Sequence, residues 1–123
     1  MIDETSPALK VALAHHRAWT AKDLDLAMSY LADAFVCDAP AGRLGSRDAY
    51  REFLTPFSRM LISSTLIAGF GDQEQALIMY DTTTPLVASG PGAECLTVRD
   101  GLITYSRFLF DRLPFEQARQ ARA

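Results

Sequence analysis

Three polar, ionisable groups stand in the sequence where the surrounding pattern calls for apolar residues. His15 and His16 fall on or beside the apolar side of the first helical segment, flanking Ala12 and Trp19. Asp38 closes the strand-like run Phe35-Val36-Cys37-Asp38, just before a loop rich in Pro and Gly. Glu94 opens the alternating run Glu94-Cys95-Leu96-Thr97-Val98. A carboxylate or a neutral imidazole in an apolar interior can take a proton from carbon as a general base. A carboxyl group kept protonated by its surroundings can donate a hydrogen bond to a developing enolate. Each residue also has a plain structural reading. A histidine on an apolar face can be a satisfied core residue, Asp38 a turn former, and Glu94 part of a solvated strand face. The sequence leaves open which of His15 and His16 points inward.

The elements that must position these groups are legible. Ser6 caps a first helix with Pro7 at its first position, and Ala8, Leu9, Val11, Ala12, Leu13 and Trp19 form its apolar side. Asp23 caps a short second helix through Leu24, Ala27, Met28 and Leu31. Ala39 to Gly45 reads as a loop. Ser46 caps a third helix with the stripe Tyr50, Phe53, Leu54, Phe57, and Pro56 kinks it or marks its last turn. After Arg59 the period becomes two. Leu61–Phe70, Ala76–Thr83, Ala93–Arg99 and Leu102–Phe110 read as an antiparallel set, with turn signals at Gly71-Asp72 and Asp100-Gly101. Pro85 to Gly92 is a loop, and the tail from Arg112 is charged and a candidate helix. Helices first and strands afterwards make an α+β domain. The expected fold is a curved antiparallel sheet wrapped by three N-terminal helices, cone-shaped, with one pocket inside a single domain spanning residues 1–123.

The register of the last hairpin has two solutions. A two-residue Asp100-Gly101 turn pairs Arg99 with Leu102 and puts Glu94 on one face with Tyr105 and Arg107. A three-residue loop with Gly101 as a bulge pairs Val98 with Leu102 and puts Glu94 with Ser106, Phe108 and Phe110.

Composition narrows the function classes. The 123 residues are 49% hydrophobic and 22% charged, enough to build a core without disulfides or a structural metal. The formal net charge is −3 and the pI about 5.2. That balance argues against nucleic acid and against an anionic membrane surface. Cys37 and Cys95 are far apart with no Cys-x-x-Cys, so no metal site is expected, nor any cofactor. Both lie in apolar runs and read as reduced core thiols. The N-terminus lacks the pattern of a signal peptide and no apolar run reaches membrane-span length, so a cytoplasmic protein is expected.

Ala18-Trp19-Thr20-Ala21-Lys22-Asp23-Leu24-Asp25, followed by Leu31-Ala32-Asp33-Ala34-Phe35-Val36-Cys37-Asp38, resembles the opening of SnoaL-like proteins of the nuclear-transport-factor-two-like superfamily. Gly45 to Phe53 resembles their third helix, and Glu94 to Ile103 their "E-x-F-x-V-R-D-G-K-I" hairpin. The likeness covers nearly the whole chain. The fold carries isomerases, cyclases, epoxide hydrolases and non-catalytic binders, so it does not fix an activity. By position, Asp38 resembles the general-base Asp of ketosteroid isomerase, Glu94 its protonated oxyanion-hole Asp, and His15 falls where it has a Tyr. Ala39 is extra before Pro40, His replaces Tyr, and Glu replaces Asp. The resemblance favours the bulged hairpin, with Ser106, Phe108 and Phe110 inward. Ile103, Tyr105, Arg107 and Leu109 would then lie on an outer face where such proteins commonly form dimers. Ile103 to Ala118 is also similar to the end of limonene epoxide hydrolase. Asp81 matches one Asp of its catalytic set, but Met79 and Phe108 replace the Arg and the second Asp, so that activity is not expected.

The reading that results is a pocket protein for a small hydrophobic or carbonyl-containing molecule, acting as an isomerase- or cyclase-type enzyme. Asp38 or His15 would be the base and Glu94 the hydrogen-bond donor. Trp19, Phe53, Phe57, Met79, Asp81, Ser106, Phe108 and Phe110 would line the site. The alternative is a binding module with the same pocket and no chemistry. An interaction protein that uses the outer sheet face to dimerise or to bind a partner chain is the third reading, and a homodimer through that face can accompany either of the others.

Overall fold

A computed structural model describes residues 5–122. Among them are the helices α1 (Pro7–Thr20), α2 (Leu24–Ser29), α3 (Arg47–Met60) and α4 (Leu113–Arg122). The strands are β1 (Leu31–Ala39), β2 (Gly42–Leu44), β3 (Ser63–Gly71), β4 (Gln75–Thr83), β5 (Gly92–Arg99) and β6 (Leu102–Phe110). They form one curved sheet in the order β2-β1-β6-β5-β4-β3, an α+β fold.

The helix starts follow from their caps. Ser6 Oγ accepts from Leu9 N at 3.0 Å and donates to the Asp72 carbonyl at 2.6 Å. One hydroxyl therefore caps α1 and ties it to the β3–β4 turn. Asp23 Oδ1 accepts from Leu26 N, and Ser46 Oγ from Ala49 N, both at 3.1 Å. Pro56 lies inside α3, which continues to Met60. The core packs Leu9, Ala12 and Trp19 of α1 and Leu54 of α3 against Phe35, Ile78, Leu96 and Ile103 of the sheet. No described helix is long and apolar enough to cross a membrane.

Several expectations are corrected. The sheet is mostly, not wholly, antiparallel: β1 runs parallel to β6. A parallel neighbour needs a long crossover, here the whole stretch from β2 to β5. Leu31 opens β1 instead of closing α2. The expected loop from Ala39 to Gly45 contains β2, which pairs back onto β1 with Cys37 opposite Leu44. The fold class expected only three N-terminal helices; the candidate helix of the charged tail is formed as α4 and joins them. Cys37 is buried but Cys95 is exposed, because Glu94 and Leu96 take the inward positions of β5.

The last hairpin combines both register solutions. Asp100 (φ 53°) and Gly101 (φ 79°) form a two-residue turn of the type that demands positive φ at both positions, and Arg99 pairs with Leu102. The ladder then slips: Val98 pairs with Ile103, but Thr97 pairs with Tyr105. Thr104 is the extra residue of a β-bulge inside β6. Ile103, expected on the outer face, is therefore fully buried. Beyond the bulge Ser106, Phe108 and Phe110 share the face of Glu94.

Inserting one residue after Thr104 should turn Arg107 and Leu109 inward and both phenylalanines outward, whereas deleting Thr104 should only straighten the ladder and keep Tyr105 opposite Thr97. The insertion is the disruptive change. The expected loss is most of the folding stability, more than about 5 kcal/mol, seen as loss of a cooperative urea transition. Thr104→Gly, which keeps the residue count, should retain the transition.

Candidate functional site

A cavity of about 200 Å³ opens between the concave face of the sheet and helices α1, α3 and α4. Its wall is aromatic. Trp19 comes from α1, Tyr50, Phe53 and Phe57 from α3, Tyr80 from β4, Phe108 and Phe110 from β6, and Phe115 from α4. The rings touch in sequence: Trp19 with Phe57 at 6.0 Å, Phe57 with Phe115 at 6.1 Å, Phe115 with Phe110 at 5.9 Å, and Phe110 with Phe108 at 5.2 Å. Such tilted and offset contacts suit the ring quadrupoles.

Glu94 stands in this wall with 3% of its surface exposed. Strand parity puts it there, since β5 buries Gly92, Glu94, Leu96 and Val98 in alternation. On β4 the same rule buries Ala76, Ile78, Tyr80 and Thr82. Tyr80 pairs across the ladder with Gly92. A Cβ at residue 92 would lie 3.1 Å from the Tyr80 ring. Glycine there lets the ring cross β5, and Tyr80 donates to Glu94 Oε2 at 2.8 Å. Ser106 is buried in electrostatic reach of Glu94 and Cys37, and its Oγ makes no hydrogen bond of good geometry among the described residues.

Burial pushes the Glu94 carboxyl up from 4.5 to about 7, against the opposing pull of the Tyr80 and Ser106 hydroxyls. Burial and then the Glu94 charge hold Tyr50 and Tyr80 well above the usual phenol value, so both keep their protons. His15 drops to about 3, through burial and then His16. His16 drops to about 4, through burial and then Arg17. Both rings are neutral at physiological pH. At pH 7 the wall thus offers a carboxyl group poised between its two forms and two phenolic donors. Among the described residues no three His, Cys, Asp or Glu cluster as metal ligands would.

The sequence candidates divide. Glu94, Trp19, Phe53, Phe57, Phe108 and Phe110 stand in the cavity wall. His15 and His16 are both buried but lie one layer back. His15 Nε2 is 3.5 Å from the Tyr50 hydroxyl, and His16 sits against the Tyr80 ring at 4.4 Å and Ser64 Oγ at 3.3 Å. Ser106 is inward but outside the wall. Asp38 is not brought to this group. Phe35 and Cys37 take the inward positions of β1, so Asp38 turns to the outer face. There Arg43 meets it through two hydrogen bonds (2.9 and 3.0 Å) and Tyr105 through one (2.6 Å). Those bonds, Arg43 first, hold it down at about 2. Met79 is 44% exposed, and Asp81 accepts from Ser89 and the Thr82 amide. Both have the outward parity of β4 and neither lines the cavity. Tyr50, Tyr80, Phe115 and Arg119 belong to the wall but were not among the sequence candidates. The alternation Ala76, Ile78, Tyr80 was a legible signal for Tyr80. None was available for Phe115 and Arg119, whose place depends on how α4 folds back.

The SnoaL-like domain family matches residues 12–106. A crystal structure of a protein from Kribbella flavida DSM 17836 is 56% identical, with a TM-score of 0.92, covering 94% of this chain and 95% of that one. An NTF2-like protein of unknown function from Cytophaga hutchinsonii is 16% identical (TM-score 0.75; 86% and 91% covered). A putative polyketide cyclase from Sinorhizobium meliloti is 14% identical (TM-score 0.72; 81% and 94% covered). These last two share the fold. No curated protein matches the sequence.

The titrations have a stability consequence of defined sign. Glu94 binds its proton more tightly folded than unfolded, so its contribution is complete below about pH 4.5 and is lost as pH rises through about 7. His15 and His16 bind theirs more weakly folded, so their contribution is present above 6.5 and is lost as pH falls towards 4 and 3. The difference between wild type and Glu94→Gln isolates the first effect. Wild-type stability relative to Glu94→Gln should fall by about 3 kcal/mol between pH 4.5 and 8. Urea unfolding at constant ionic strength measures it, and a flat difference would exclude the raised carboxyl.

Proposed function

We propose, because this chain belongs to the SnoaL-like family, that its cavity binds a small aromatic or apolar carbonyl compound and catalyses proton transfer at carbon, as an isomerase or cyclase does. One observation carries the reading: a buried carboxyl with a proton affinity near neutral, bonded to Tyr80, in an aromatic wall. General acid–base catalysis is most effective when the group titrates near the working pH.

The base role moves from Asp38 to Glu94. Asp38 is held ionised by Arg43 on the other face of the sheet, whereas Glu94 borders the cavity. In its ionised form Glu94 takes a proton from the carbon next to the carbonyl. The same carboxyl, now protonated, returns it at another position. Tyr50 shares the wall and keeps its proton, so it serves as donor to the developing enolate oxygen. His15, 3.5 Å behind the Tyr50 hydroxyl, positions that hydroxyl rather than touching the substrate. The size of the cavity selects one ring with a short substituent. An engineered apolar cavity of about 150 Å³ takes a benzene molecule, and this one is about 200 Å³.

Proton exchange tests the reading without knowledge of the natural substrate. Small aryl ketones in D2O should gain deuterium beside the carbonyl, at a rate that rises with pH around a midpoint near 7. Glu94→Gln should lower that rate at least about 100-fold. Tyr80→Phe should move the midpoint upward, because the Tyr80 hydrogen bond holds the carboxyl down. Ketones that bind with no exchange in any case would leave the pocket as a binding module.

The same reading covers the outer sheet face with a second copy of the chain. Phe70, Leu77 and Leu109 are each more than half exposed there. They adjoin across the ladders through Cys95 and Ala93, and water-exposed apolar patches of this kind mark association surfaces. Sedimentation should give a dimer for wild type and a folded monomer for Leu109→Glu; a monomeric wild type would end the idea.

A further inference from the structure

We infer that the molecule taken up by this cavity is an organic anion, a small aromatic acid whose ring sits among the phenylalanines and whose carboxylate is met at the mouth by Arg119. The inference rests on the pocket proposed above and names the class of compound that fills it.

Helix α4 is the basis. Its one described residue that is buried is Phe115, 6% exposed. That ring lies against Phe57 and Phe110 and closes over the position of Gly90, where a Cβ would come within 3.3 Å of it. One turn further on, Arg119 lines the same cavity while most of its side chain stays in solvent. Its guanidinium has a weak internal partner. Arg119 Nη1 is 3.9 Å from Glu116 Oε1, and the same oxygen is 4.0 Å from Arg112. One carboxylate is thus shared at long range by two guanidinium groups, neither of which forms a close pair among the described residues. Such exposed pairs contribute little, so Arg119 is available to an incoming anion.

The orientation follows from the two ends of the cavity. Arg119 is the cation in the described wall, and Glu94 is the carboxyl group. An anionic group placed beside Glu94 would meet like charge in a low-dielectric site whenever Glu94 is ionised. Placed at the mouth, it meets a guanidinium whose planar fork suits a carboxylate, and the apolar part of the ligand then fills the aromatic space. The chain carries a formal net charge of −3, so attraction of an anion depends on this local cation and not on the overall field.

The test uses the single tryptophan of the chain, Trp19, which lines the cavity and reports occupancy by its fluorescence. The probes are 3-phenylpropanoate and its neutral primary amide, at about pH 6 and low salt. The acid should bind roughly 5- to 10-fold more tightly than the amide, and the preference should shrink as salt is added. Arg119→Gln should bring the acid-to-amide ratio close to one, and Arg119→Lys should keep part of it. Lys10→Gln, which removes the same charge from the exposed side of α1 outside the cavity wall, should preserve the ratio. Equal binding of acid and amide to wild type would overturn the inference and leave the pocket standing. So would an equal loss of both probes in Arg119→Gln. Failure of both probes to bind wild type would overturn the pocket and the inference together.

Discussion

The β-bulge that takes Thr104 out of the ladder sets the parity of β6, and the parity of β6 decides whether the cone has a cavity wall on that side. Ahead of the bulge the inward residue is Ile103; beyond it the inward residues are Ser106, Phe108 and Phe110. Without the slip, Tyr105, Arg107 and Leu109 would face the interior instead. The energetic preference follows from burial. Two phenylalanine rings withdrawn from water contribute a few kcal/mol each, whereas Arg107 turned inward would stand opposite Glu94 as a buried ion pair, whose attraction is largely offset by the desolvation of both charges. The same slip keeps Arg107 level with Asp38 on the outer face, where β1 and β6 run side by side. One residue therefore separates an ionic outer surface from an aromatic interior. It also brings Phe108 opposite Glu94.

Glu94 is held in that interior at a cost to stability. Its ionised form has lost most of its hydration, and Tyr80 returns only part of it through one hydrogen bond. The cost depends on pH: small while the group is protonated, larger once it ionises. A glutamine would avoid it. Destabilised polar groups of this kind are where proteins trade stability for chemistry. The position of the carboxyl is supported by backbone detail as well as side chains. Gly92 gives up a side chain so that the Tyr80 ring can lie across β5 and reach the carboxyl oxygen.

What the sequence revealed and what it hid divide along one physical line. The three helix starts were legible because Ser6, Asp23 and Ser46 act on amides three residues away, and local signals need no knowledge of the fold. The alternation of β5 was legible, although Cys95 and Glu94 were both expected inside and only Glu94 is; the aromatic stripe of α3 was legible too. Asp38 misled because a positional resemblance outweighed the parity of its own strand. Phe35 and Cys37 hold the inward positions of β1, and alternation then turns Asp38 outward. The β6 bulge was not legible, since Ile103-Thr104-Tyr105 contains neither glycine nor another local mark of a slip; it appears only when β5 and β1 are both in place to be paired. The parallel β1–β6 contact, and the return of α4 that puts Phe115 and Arg119 over the cavity, likewise depend on chain segments far apart.

The proton affinity of Glu94 belongs to its whole shell rather than to one contact. Behind the tyrosines of the wall stand two histidines, His15 near Tyr50 and His16 against Tyr80. Either ring in its charged form would place a cation in a medium of low dielectric close to the carboxyl, and the attraction would draw Glu94 back toward the ordinary carboxylate range. Burial prevents this by keeping both rings neutral until well below physiological pH. The His16 ring also packs edge-on to Trp19, so the group that could supply a counter-charge is built into the aromatic core instead. Tyr50 and Tyr80 are polar but cannot ionise in the working range. The carboxyl is surrounded by groups that can orient a proton and cannot neutralise a charge. That arrangement is what holds a glutamate near 7, and it is supplied jointly by α1, α3 and β4 rather than by the strand that carries Glu94.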